Sequence, residues 1–167
     1  MLEKKHTRLQ QFISFELHGG VFGFDIRLVK EITPAIQITP VPLKVRDVSG
    51  VVNIRGQVVV VLDIGLTLGG AEQFITDDSQ IIILKTSREL ESVADFSPNF
   101  AIESIGEIPV GFLVENVGDI VAVELTRIEE APPHLIDKYR SFVEGVVRQD
   151  SAPLVILNAG AILGSEQ

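Results

Sequence analysis

Few side chains here have the types and spacing that chemistry needs. His6, His18 and His134 are the only imidazoles, and no two stand at metal-ligand spacing, so each is read as a surface or turn residue. The absence of cysteine removes thiol catalysis, zinc knuckles and disulfides together. Ser49 precedes Gly50, but the Gly-x-Ser-x-Gly elbow of a hydrolase is missing. Gly19-Gly20 lacks the Gly-Lys-Ser/Thr ending of a phosphate loop. Asp63 with Glu115 or Asp119 could form a carboxylate pair for acid–base or glycosidase work. A strand-terminal aspartate more often accepts backbone hydrogen bonds from the turn after it, and that is the role expected of Asp63. No catalytic residue, metal ligand or cofactor is assigned, and the chain is not read as an enzyme.

One charged group stands out by its setting. Arg55 lies in the polar turn Asn53-Ile54-Arg55-Gly56, which feeds the apolar run Val58–Leu62 closed by Asp63. That run is far shorter than a membrane span and too β-branched for a comfortable helix. It is expected to be a strand buried on both faces, with Arg55 displayed outside at its mouth.

The rest of the chain is built to hold such a strand. Its 167 residues can bury roughly 70% of the unfolded surface, enough for one domain of two lobes without staples. Met1–His6 contains no apolar signal core and no segment approaches a span, so a cytoplasmic protein is expected. Net charge is −9, split as +3 over residues 1–56 and −12 over 57–167. A nucleic-acid binder needs a dense basic face, which this chain lacks. The split is either ordinary solubilising charge or two lobes steering different protein partners.

Turn signals cut the chain into short strands. Phe12–Leu17 alternates, Gly19-Gly20 turns into Val21–Phe24, and Asp25 is placed to cap a short helix over 26–32 that Thr33-Pro34 ends. Further strands are expected at Gln80–Lys85, Val110–Val114, Asp119–Val123, Ser141–Val147 and Leu154–Leu157, with Asn158 capping a closing helix. Pro40-Val41-Pro42 reads as extended loop. Strands at intervals of about 8–12 residues favour a barrel or sandwich. No repeat of fixed period is found.

In this order the pieces resemble a family. Phe12-Ile13-Ser14-Phe15, Phe22–Ile26, Val29-Lys30-Glu31-Ile32, Val41-Pro42, Gly50–Gly56, Val110–Val117, Gly145-Val146-Val147 and Leu154–Leu157 together resemble CheW, the adaptor between bacterial chemoreceptors and the histidine kinase CheA. The resemblance covers roughly residues 10–164. It implies a mainly all-β fold of two packed five-stranded SH3-like β-barrel lobes with short helices, forming one CheW-like domain over 9–164. Lobe one is expected from about 9–56 plus 141–164, and lobe two from 57–140. The resemblance also implies a non-catalytic scaffold in two-component signal transduction, lying at receptor arrays. Its partners would be the regulatory domain of a CheA-type kinase and the cytoplasmic tip of a chemoreceptor. By position, Asn53, Arg55 and Gly56 are expected to face the receptor, and Val29 and Glu31 to sit on a short partner-contact helix. The chain departs from the family at Val60, where relatives often carry proline, at Val45–Val48, and in an insertion over 88–109. The insertion is read as a mobile hairpin or a specificity loop. Two other readings remain: a scaffold for a surface-motility or gene-regulatory kinase, and a β-barrel holding a small ligand, which would need the valine strand to line a cavity.

Overall fold

In the computed structural model, residues 8–35, 37–41, 47–93, 107–133 and 141–164 are described. Strands form where β-branched and aromatic residues run between turns. They are β1 (Leu9–Leu17), β2 (Gly20–Asp25), β3 (Val29–Pro34), β4 (Val48–Ile54) and β5 (Gln57–Asp63), then β6 (Gln80–Leu84), β7 (Val110–Val114), β8 (Asn116–Glu124), β9 (Val143–Val147) and β10 (Leu154–Leu157). Short helices follow β5 (α1, Ile64–Thr67), β6 (α2, Ser87–Glu91) and β10 (α3, Ala159–Gly164). Two five-stranded sheets result, ordered β8-β1-β2-β10-β9 and β3-β6-β7-β5-β4.

The continuous apolar runs are explained by three cores. Alternate residues of a strand face opposite ways, and here both directions are buried. In β6, Ile81 and Ile83 point into the second sheet's own cluster with Val59, Val61 and Leu113, while Ile82 and Leu84 join the core shared between sheets. In β10, Leu154 and Ile156 fill the first sheet's cluster with Phe12 and Val123, while Val155 and Leu157 face the shared core. Phe15, Phe24 and Phe112 stack through that shared core, with Phe24 and Phe112 joining the sheets at 5.1 Å between ring centres.

Each sheet curls until, among the described residues, its edges meet at one residue pair. Beyond β3, Thr39 exchanges two backbone hydrogen bonds (2.8 and 2.9 Å) with Val51 of β4. Beyond β8, Glu129 does the same (2.9 and 2.8 Å) with Val146 of β9. Gly50 makes the first closure fit, since a Cβ there would lie 2.3 Å from the Thr39 carbonyl oxygen.

The two closures belong to an internal repeat that pattern reading did not find. Gly23 beside Ile156 corresponds to Gly111 beside Val61, in the parallel ladders β2·β10 and β7·β5. The same correspondence relates Phe24 to Phe112, Gly50-Val51-Val52 to Gly145-Val146-Val147, and Asp63 to Asn158 at the start of the following helix. Its period is masked because a two-residue turn joins β1 to β2, whereas 25 residue positions, 85–109, separate β6 from β7.

The strand allocation differs from the expected boundaries at 56/57 and 140/141. β3 and β4 belong with the second sheet and β8 with the first, because each half contributes a strand pair to its own lobe and exchanges its remaining strands with the other. The charge split along the chain therefore does not divide the sheets. Two further expectations are corrected. Residues 29–32 form a strand rather than a helix: Asp25 caps only a 3-10 turn over Ile26–Leu28, after which β3 pairs with β6. The valine strand is not buried along its whole length, since Val58 is 55% exposed.

The insertion opens on structure. Thr86 and Glu89 cap α2 reciprocally, and Leu90 is buried in the shared core. A loop deletion beginning at residue 90 would therefore remove a core side chain. Phe96 and Phe100 lie outside the described residues, as do His6, His134, Pro42, Val45 and Arg46.

Candidate protein-docking site

The hairpin β4–β5 positions the charged turn. Ile54 pairs with Gln57, leaving Arg55 and Gly56 as a two-residue turn with φ of +51° and +83°. Positive φ at both positions matches the twist of the flanking strands, and glycine adopts it without strain. The Asn53 side-chain oxygen accepts a 2.8 Å hydrogen bond from the Gly56 amide and ties the turn to its own strand.

Arg55 and Glu31 come together. The Arg55 Nη2 donates to Glu31 Oε1 at 2.5 Å, with the arginine side chain 73% exposed. Glu31 sits on β3, the opposite edge strand, so the pair spans the gap between the sheet's edges. One oxygen of Glu31 orients the guanidinium and leaves most of its fork facing solvent. Val29 does not join this group: it begins β3 at a bulge and packs against the shared core. Lys30, between them, pairs with Glu89 of α2 at 3.0 Å.

Two exposed apolar side chains on this sheet were missed from sequence, and Val58 lies beside the turn. Val58 stands directly opposite Asn53 on the same face. Val60 pairs with Val110 in parallel, and Ile108, 67% exposed, emerges two residues before Val110 as Val58 does before Val60. The only available signal was that Val58 starts a strand immediately after an exposed turn.

The acidic residues weighed for catalysis are each engaged by other partners. Asp63 is buried and accepts hydrogen bonds from the Gly65 amide (2.9 Å), the Gln73 amide (2.8 Å) and the Gln73 side chain. Glu115 instead accepts from the His18 amide, and the Asp119 carbonyl accepts from Ser14. Among the described residues no group of three potential ligands could hold a metal ion. No described helix is long and apolar enough to cross a membrane.

Asp25 is the other buried carboxylate. It receives the Arg27 amide at 2.9 Å, the Arg27 guanidinium at 2.7 and 3.0 Å, and the Gln10 side chain. Glu144 of β9 is pushed up to about 7, first by burial and then by the Asp25 carboxylate. A raised carboxyl binds more protons folded than unfolded, so its contribution to stability falls as pH rises from 4.5 to about 7. Glu144 is an exposed residue of β9, where water offsets the burial and screens the repulsion, so the effect is modest. Glu144→Gln should therefore gain on the parent in melting temperature between pH 5 and pH 8. A melting difference that is flat with pH would show that Glu144 titrates normally.

Comparison with known proteins converges on one group. The family described as CheW-like domain matches residues 11–167. "Chemotaxis protein CheW" of Bacillus subtilis is 28% identical over 157 residues, covering 94% of this chain and 88% of that protein. The protein of the same name from Treponema pallidum is 22% identical over 94% of this chain and 84% of its own length. Among solved structures, the scaffolding protein TtCheW from Thermoanaerobacter tengcongensis superposes with a TM-score of 0.71 at 23% identity. That match covers 97% of this chain and 92% of the other, and it supports the fold.

Proposed function

The chain belongs to the CheW-like domain family, and on that premise we propose that it is a non-catalytic adaptor coupling chemoreceptors to a CheA-type histidine kinase. It would work in the cytoplasm, at receptor arrays. Arg55, Asn53 and Gly56 face the receptor's helical tip, and the β3 segment with Val29 and Glu31 contributes to partner contact. The observation that carries the reading is Arg55 itself. A mostly exposed guanidinium is held at the hairpin tip by Glu31, with exposed Val58 two residues past the turn on β5. A planar donor near an exposed apolar side chain suits an amphipathic helix bearing carboxylate or carbonyl acceptors. Val59 and Val61 pack against Ile81, Ile83 and Leu113, which favours a scaffold over a barrel built around a ligand.

The test is binding to a receptor cytoplasmic fragment. Arg55→Ala should cost about 1–3 kcal/mol of affinity, in the range of charged interface anchors. Melting should barely change, because exposed side chains contribute little to stability. Arg55→Lys should restore only part of the loss, since the fork is gone. Wild-type affinity in the alanine variant would remove Arg55 from the docking surface.

A further inference from the structure

The first sheet is left open just past its single closing pair. Glu129 and Val146 exchange both backbone bonds, so the next rung of that ladder would join residues 127 and 148. It does not form, because Leu125–Arg127 turns into a 3-10 helix and leaves the line. The result is a groove of about 240 Å³ lined by Val121, Ala122, Val123, Arg127 and the segment Val147–Asp150.

Among the described residues, the groove's walls are unpaired strand edges. Leu125 donates to the Arg8 carbonyl, and with the β1·β8 register this directs Val123 and Val121 at β1. Ala122 and Glu124 then turn their amides and carbonyls outward. On the other wall, alternation from Val146 turns the Arg148 backbone toward the same opening. Arg127 and Arg148 add positive charge in a chain of net −9. Arg148 commits its Nε to Glu129 at 3.2 Å, and Arg127 makes no ion pair among the described residues. Asp150 lies at the far lip.

We propose that this groove takes an extended, carboxylate-bearing segment of a partner protein, added as a strand on the free edge of β8 between Arg127 and Arg148. The internal repeat locates the groove: Arg148 follows Val147 as Asn53 follows Val52, so it occupies on the first sheet the position that the Asn53 hairpin occupies on the second. The two sites sit on different sheets, and the groove stands whether or not Arg55 meets a receptor.

The probe is the blocked peptide acetyl-Val-Thr-Val-Glu-Val-Thr-amide, titrated into the full chain while amide NMR shifts are followed. Saturable shifts are expected at Ala122, Glu124 and Arg148, with the lysine-for-glutamate peptide bound at least about tenfold more weakly. Ala122→Pro removes one outward amide and no β1 bond, and it should weaken binding about tenfold. Arg127→Ala should weaken it by about three- to tenfold. If the proline variant does not fold, hydrogen exchange decides, since bound peptide must slow exchange at the Ala122 amide. No shifts at the groove, equal binding of the lysine peptide, or unslowed exchange at Ala122 would overturn the proposal. Dimerisation of the chain through β8 without peptide would overturn it as well, by naming a second copy as the occupant.

Discussion

Phe112→Ala should lower stability by about 3–5 kcal/mol, the usual cost of emptying a large aromatic site in a core. Phe112 is fully buried and meets Phe24 at 5.1 Å with an 18° tilt, and Phe24 meets Phe15 at 5.3 Å. Among the described residues the two sheets share no hydrogen-bonded ladder, so this stack and the aliphatic side chains around it do most to hold one sheet to the other, beside the 3.1 Å hydrogen bond from the Val117 amide to the Gln80 side chain. Neighbours on both sheets are fixed by their own ladders and can collapse only partly into the space. A chain of this size loses about 2–4 °C per kcal/mol, so melting should fall by roughly 6–20 °C. Urea unfolding should show a shifted midpoint with an unchanged slope if the sheets still unfold together. Phe24→Ala combined with Phe112→Ala should cost less than the sum, because one contact is counted in both. A loss below about 1 kcal/mol would mean that the rings fill space without joining the sheets.

Local chemistry was legible in the sequence and long-range exchange was not. The Asn53–Gly56 turn, the Asp25 cap and the hydrogen-bonding role of Asp63 rest on short-range geometry that residue types dictate, and all three appear as expected. The segment Val29-Lys30-Glu31-Ile32 misled because its apolar residues fall three apart, a spacing that suits a helix. Pairing with the isoleucines of β6 decided it as a strand. Which sheet β3 and β8 join is a tertiary matter: no local signal separates a strand that pairs with its neighbour from one that crosses. The ion pair between Arg55 and Glu31 was hidden for the same reason, since it spans two sheet edges brought together only by curling. Arg55 and Glu31 had nonetheless both been picked out, by the resemblance and for separate roles. The structure makes them one group.

Asp63 stands at the far end of β5 from Arg55, so the loop it anchors can be disturbed while the hairpin stays intact. Asp63→Ala is the sharper case. It strips the acceptor from two buried amides, Gly65 and Gln73, and from the Gln73 side chain. Each unsatisfied buried donor costs about 1–3 kcal/mol, so a total of about 3 kcal/mol or more is expected. The repeat supplies an internal control in Asn158, whose side chain caps α3 by accepting, among the described residues, from the Ala161 amide alone, at 3.0 Å. Asn158→Ala should cost about 1 kcal/mol, the ordinary value of a lost cap. Asp63→Asn should fall between them. Gln73 Oε1 is buried without a partner, so the Gln73 amide can rotate to present that oxygen to the new amide. The rotation gives up the 2.8 Å bond to the Leu113 carbonyl. Urea unfolding of the three variants orders the costs, and hydrogen exchange at Gly65 and Gln73 shows whether the loop opens. Receptor binding through Arg55 should survive in all three below their melting points. An alanine variant at Asp63 no weaker than its counterpart at Asn158 would show that water satisfies the stranded donors, and that Asp63 is only another helix cap.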